Sequence, residues 1–288
     1  LANRVHRPYP ALDIDEAGAR LFVRDYEDGE AAEIPRPAWR FARETPDGDA
    51  PSAEHITLDA GFEAGRIYHV VYTTDQAPVV GVGMLALREI ASFLRAPSTL
   101  NPCTAGFERT IAFGVSQTGR LLRTLLRFGL NVAEDGPQAF DGMFVHVAGG
   151  RLGEFNHRFA QPSVQPQPGF GHLPPFSDEP VTDPFTGERA GLLDRVRALG
   201  VTPRIFYTPS SAEYWRGDGS LAHIDGAGRR DLPEAPETRT YHMAGTQHMA
   251  GALPQQHDSG TDGTRGQYGY NVVDYTPLQR AALVNLDT

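Results

Sequence analysis

RTIAFGVSQTGRLLRTLLRFGLN, residues 109–131, reads as a strand, a turn carrying one serine, and an amphipathic helix in immediate succession. Thr110 to Phe113 form a short apolar run bounded by Gly114, and Leu121, Leu122, Leu125 and Leu126 repeat at helical spacing. Ser116 falls at the join. A serine in a sharp strand-to-helix turn is held in a strained conformation that lifts its hydroxyl above the sheet, and small neighbours let the chain turn without clashing. Gly114 and Gly119 supply that smallness, although Thr118 stands where the G-x-S-x-G elbow has its second glycine. The competing reading is an ordinary strand end followed by a helix that Ser116 merely caps.

A serine nucleophile needs an imidazole to take its proton and a carboxylate to hold that imidazole in the right tautomer. On an elbow-bearing α/β sheet these follow in the order serine, acid, histidine. Downstream, PRIFYTPSSAEYW at 203–215 contains a strand from Arg204 to Thr208 that breaks at Pro209 and Ser210, with Glu213 just beyond. TRTYHMAGTQH at 238–248 contains a second short strand-like run, with His248 just past it. Three candidates, Ser116, Glu213 and His248, thus lie beyond the carboxyl ends of three successive strands, where open α/β sheets gather their ligands. Asp218 and Asp225 are alternative acids, while His242 and His257 flank His248. His242 lies within the strand run and reads as a packed histidine, and His257 reads as a solvated loop residue.

The chain resembles the bacterial α/β-hydrolase domain-containing proteins, a group of serine hydrolases. The resemblance is carried by FGVSQTGRLLRTLLRFGLN at 113–131, GEFNHRFAQPS at 153–163, SAEYWRGDGSL at 211–221 and YHMAGTQH at 241–248, and extends to 70–95. It implies a mostly parallel sheet flanked by helices, with Ser116 as nucleophile, His248 as base, and Glu213 at the position of the acid. Family members look like esterases, while fold alone does not fix a substrate. They generally carry a longer β-rich segment upstream, so a chain beginning at Leu1 is expected to lack part of it.

The expected chemistry is two-step acyl transfer on a carboxylic ester or lactone, with no cofactor and a small-molecule ester as the partner. An inert binding protein on the same scaffold, or an amidase or acyltransferase with the same triad, are the alternatives. One oxyanion donor is expected from the backbone N–H of Gln117, the residue after the nucleophile, and a second from Thr74 or Asp75 after an earlier strand. A proline- and phenylalanine-rich excursion over residues 149–191 is expected to form a cap within a single hydrolase domain spanning residues 1–288. Phe155, Phe159, Phe170, Leu173 and Phe176 are available to line a pocket, with His157 and Trp215 as further substrate-facing candidates. The competing reading of the excursion is a packed surface segment.

Glu154 and His157, with His146 nearby, are too few for a metal site, so no metal is expected. Gly81 and Gly83 lack the third glycine of a nucleotide loop. With 36 acidic against 26 basic residues, the formal charge of −10 disfavours nucleic acid and anionic membranes. The single cysteine, Cys103, precludes an internal disulfide, and no run of about 18 apolar residues marks a membrane span.

Earlier in the chain, alternation predicts strands at Arg20 to Arg24, Trp39 to Arg43, His55 to Asp59 and Ile67 to Thr74, an antiparallel edge entering the sheet. A helix is expected from Met84 to Leu94, and a further strand from Phe140 to Val147. Only one helix is legible between Thr74 and Thr110, so a layer is missing or hidden in residues 96–108.

Overall fold

Of the strands that alternation predicts in the first eighty residues, Arg20–Arg24 and Ile67–Val71 form as antiparallel neighbours in one sheet. The computed structural model describes residues 9–26, 29–76, 82–134, 136–153, 174–184, 186–258 and 265–288. They divide into two compact units, the first within Leu1–Gly81 and the second in Val82–Gly153 and His172–Thr288. In the first, β1 (Arg20–Arg24) lies between β2 (Ala32–Ile34) and β7 (Ile67–Val71), both antiparallel to it. Leu21 pairs with Ile34 on one side and Val70 on the other, and these side chains cover Trp39, Phe41 and Leu58.

The strand expected from Trp39 to Arg43 is two strands. β3 (Trp39–Arg40) pairs with β6 (Thr57–Leu58), while β4 (Ala42–Thr45) pairs with β5 (Gly48–Pro51). The division falls at Phe41, whose ring is buried edge-on to Trp39 at 5.4 Å and to Tyr72 at 5.6 Å. Trp39, Phe41 and Tyr72 pack edge to face at this corner, a geometry aromatic rings favour. These strands form sheets of their own, where the sequence suggested the edge of a larger one.

The second unit is α/β. After α1 (Val82–Arg95), its sheet consists of β8 (Ile111–Val115), β9 (Gly142–His146), β12 (Arg204–Thr208) and β13 (Thr238–Thr240). All pairs are parallel, in the order β13-β12-β9-β8. Residues 96–108 form turns, which leaves β8 at the edge among the described strands. Two short strands, β10 (Val181–Thr182) and β11 (Arg189–Ala190), make a small hairpin outside this sheet.

Helix α2 (Gln117–Arg127) buries Leu122, Leu125 and Leu126, the stripe visible in the sequence. The short α3 (Asp194–Ala198) packs beside α2, and α4 (Ser211–Arg216) follows β12. The terminal α5 (Thr276–Asp287) sets Ala282 and Leu286 against Phe144 and Phe206 of the sheet. Asn131 is fully buried and bonds the Phe140 and Val201 carbonyls at 3.0 and 2.8 Å, so a polar side chain ties the α2 exit to the starts of β9 and β12. No helix among the described residues is long and apolar enough to cross a membrane.

Candidate active site

Parallel register aligns Val115, His146 and Thr208 in one row at the carboxyl edge of the sheet, and the chain leaves β8 from that row into the turn. Ser116 has φ 54° and ψ −116°, a conformation that costs a residue with a side chain on the order of 1–3 kcal/mol. Its N–H donates to the His146 carbonyl at 2.9 Å, and its own carbonyl accepts from Arg120 at 3.0 Å. Ser116 occupies the N-cap position of α2, yet its side chain makes no cap hydrogen bond, which removes the capping alternative.

Sterics explain the two glycines. A Cβ on Gly114 would lie 2.7 Å from the Thr118 carbonyl oxygen, and one on Gly119 would lie 2.9 Å from the Ala148 Cβ. Thr118, the departure from the elbow pattern, has a positive role: its hydroxyl donates to the Val115 carbonyl and accepts from the Val115 N–H, each at 2.8 Å. A glycine there would leave the turn without this stitch.

The Ser116 hydroxyl lies 2.9 Å from Nε2 of His248, and Nδ1 of His248 bonds Oε1 of Glu213 in a short contact. A ring donating from Nδ1 to the carboxylate accepts at Nε2, so the serine O–H donates to it. Glu213 is buried at the third position of α4 and closes a capping box. Its Oε2 accepts the Ser210 N–H at 2.9 Å and the Ser210 hydroxyl. Burial works to raise the Glu213 carboxyl, but the bonds from His248 and Ser210 outweigh it and hold the group below its ordinary value. The S-x-x-E spacing of Ser210 and Glu213 is a capping-box signal legible in the sequence.

The His248 loop is fastened from the far end of the chain. Tyr275, itself buried, donates its hydroxyl to the His248 carbonyl at 2.9 Å, Asn271 bonds the Gly245 carbonyl, and Gly251 N–H donates to Val273 at 3.0 Å. The Tyr275 ring packs 5.5 Å from His146. His146 is engaged on both nitrogens, donating from Nδ1 to the Thr208 carbonyl at 3.0 Å and accepting at Nε2 from Gln279 at 2.6 Å. Burial pushes this imidazole below its ordinary value, in keeping with that neutral pairing. Sequence reasoning missed Tyr275 and Gln279, which no local pattern marks.

Burial first, then the charges of Glu213 and Asp274, push the Tyr275 phenol from 10.0 up to about 12. The folded chain therefore keeps a proton that the unfolded chain sheds, and stability present below pH 10 is lost as the pH rises toward about 12. Tyr275→Phe lacks this titration and also loses a hydrogen bond worth about 1 kcal/mol. In urea melts, wild type should be the more stable near neutrality, and its advantage should shrink between pH 10 and 12. A constant gap would argue against the burial of the phenol.

The remaining candidates are placed elsewhere. Asp218 pairs with Arg151, and Asp225 with Arg230 at 3.5 Å, while the carboxylate bonded to His248 Nδ1 is that of Glu213. His242 stacks on Tyr214 at 5.1 Å, and the His257 carbonyl accepts from Gly266 at 2.7 Å. Gln117 opens α2 beside the serine, and Trp215 is 81% exposed. Thr74 and Asp75 belong to the first unit, where the Thr74 hydroxyl accepts the Gln76 N–H at 3.1 Å. The Phe176 carbonyl accepts from the buried Arg123. Glu154, Phe155, His157, Phe159, Phe170 and Leu173, like Gly81, lie outside the described residues, while Gly83 lies within α1. No cluster of three metal-ligating side chains occurs among the described residues.

The serine elbow on a parallel sheet agrees with a comparison against known families, in which the family described as alpha/beta hydrolase domain matches residues 50–288. The chain belongs to that family. Neither the curated proteins nor the solved structures that were compared gave a match. The alpha/beta hydrolase match covers the whole second unit, including Ser116, Glu213 and His248.

Proposed function

We propose that this alpha/beta hydrolase is a serine esterase acting on a carboxylic ester or lactone through Ser116, His248 and Glu213. The observation that carries the reading is the continuous hydrogen-bonded chain from Glu213 through His248 to a serine in strained backbone. In the first step His248 Nε2 takes the hydroxyl proton as Ser116 Oγ attacks the carbonyl carbon, and Glu213 stabilises the imidazolium. The Gln117 N–H, at the positive end of α2, is the donor assigned to the tetrahedral oxyanion. Collapse expels the alcohol, which takes the proton from His248, and water then releases the acid by the same route.

Intact-mass analysis after reaction with a fluorophosphonate tests the assignment. One adduct is expected on the wild type, and none on Ser116→Ala or His248→Ala over the same interval. A folded wild type that takes no label, or a Ser116→Ala variant that still takes one, would overturn it.

A further inference from the structure

Helix α2 carries three arginines after Ser116, and two of them are occupied. Arg127 pairs with Glu188 at 3.4 Å, and Arg123 donates to the Gly150 and Phe176 carbonyls. The partly buried side chain of Arg120 has no hydrogen bond or ion pair among the described residues. The charge acting on it has its own sign: the Arg151 guanidinium beyond β9, which Asp218 already holds. Burial, and then Arg151, push Arg120 below its ordinary value. A cation near the amino end of a helix also faces the positive pole of the peptide dipoles. A residue placed against burial, like charge and dipole with nothing to offset them is kept for function rather than for stability.

Its position supplies the function. The Arg120 N–H donates to the Ser116 carbonyl at 3.0 Å, which sets the arginine one helical turn beyond the serine. Side chains on a helix lean toward its amino end, so Arg120 leans over the turn that carries Ser116, on the side of the Arg151–Asp218 pair. A guanidinium offers parallel N–H groups that match the two oxygens of a carboxylate, and one that lacks a counter-ion gains most from such a guest. A single charge is to be met, and a chain of formal charge −10 disfavours a guest with more. On the reading of Ser116 as the nucleophile of an esterase, we infer that Arg120 determines specificity, and that the preferred substrate is an ester carrying one ionised carboxylate, which this guanidinium holds while the ester carbonyl meets the serine.

Turnover is compared between monoethyl glutarate and ethyl pentanoate, and between 3-acetoxypropanoate and propyl acetate, pairs that put the carboxylate on the acyl and on the alcohol side. Wild type should favour the charged ester of at least one pair by roughly tenfold or more in kcat/KM, the size expected of a charge-assisted hydrogen bond. Arg120→Gln should lose that preference, and Arg120→Lys should recover part of it. Active wild type without a preference in either pair, or an Arg120→Gln loss shared equally by charged and neutral esters, would overturn the inference. Calorimetric titration of glutarate needs no turnover, and should show binding to wild type at least roughly tenfold tighter than to Arg120→Gln. A chain inert toward every ester that still binds glutarate through Arg120 would sink the esterase reading and keep the carboxylate site. Glutarate bound equally by both chains, or by neither, would sink the site itself, and the wild-type preference decides the matter even if Arg120→Gln failed to fold.

Discussion

His248→Ala is expected to lower ester turnover by a factor on the order of 10⁶, and adding Ser116→Ala to it should cost nothing further. The serine O–H lies 2.9 Å from the only imidazole nitrogen bonded to it among the described residues, so without that acceptor the oxygen stays protonated and is a poor nucleophile. Without the serine, in turn, the base has no proton to take. Two residues acting on one bond are therefore grossly non-additive. Losses that multiplied in the double variant, or a His248→Ala enzyme keeping more than about 1% of activity, would sink the pairing. Stability should move the other way at the elbow. At φ 54° a side chain is strained, so Ser116→Gly should gain roughly 1 kcal/mol in chemical denaturation while losing turnover entirely. Ser116→Ala keeps a Cβ and should gain none of it.

Glu213→Gln is expected to lower turnover about 10⁴-fold while the chain still folds. The wild-type carboxylate accepts on both oxygens, from His248 on Oε1 and from Ser210 on Oε2. An amide has one oxygen. The Ser210 N–H is fixed and cannot become an acceptor, whereas imidazole can exchange tautomers, so the amide oxygen stays with Ser210 and its NH₂ faces Nδ1. That arrangement puts the ring proton on Nε2, aimed at the serine it should deprotonate. Glu213→Ala loses the same activity and also the capping box, about 1 kcal/mol more in stability. The acid side adds a signature. Because the native carboxyl sits below its ordinary 4.5, its contribution is full above that pH and is lost as the pH falls through the lower native value. The Gln variant should lack that part of the acid unfolding curve. Full activity in Glu213→Gln would return the acid role to another carboxylate.

Much of this site was legible because each of its parts announces itself locally. The apolar run, the glycines and the leucine spacing define the elbow within about twenty residues, and Glu213 and His248 follow strands that their β-branched and aromatic content marks. What was hidden depends on side chains meeting across the fold. Thr118 reads as a defect in a motif until its hydroxyl is seen closing on Val115. Tyr275 and Gln279 lie on a terminal segment with no site pattern, and Gln279 meets His146 across 133 positions. Phe41 splits one alternating stretch into two strands because tertiary burial, which alternation does not encode, favours a corner.

On the proposed triad, the parallel sheet of the second unit also sets when the serine is expected to become reactive during folding. Parallel neighbours cannot be joined by hairpins, and Ser116 and His248 are separated by 132 positions, so their meeting requires closure of a very long loop. A chain that has made β8, α2 and β9 has the partners of the Ser116 backbone but not yet His248 beside its hydroxyl. The His248 loop is fastened by Asn271 and Tyr275, later still in the sequence. On the proposed triad, a half-refolded molecule is expected to be chemically silent, with fluorophosphonate labelling lagging the recovery of helical circular dichroism.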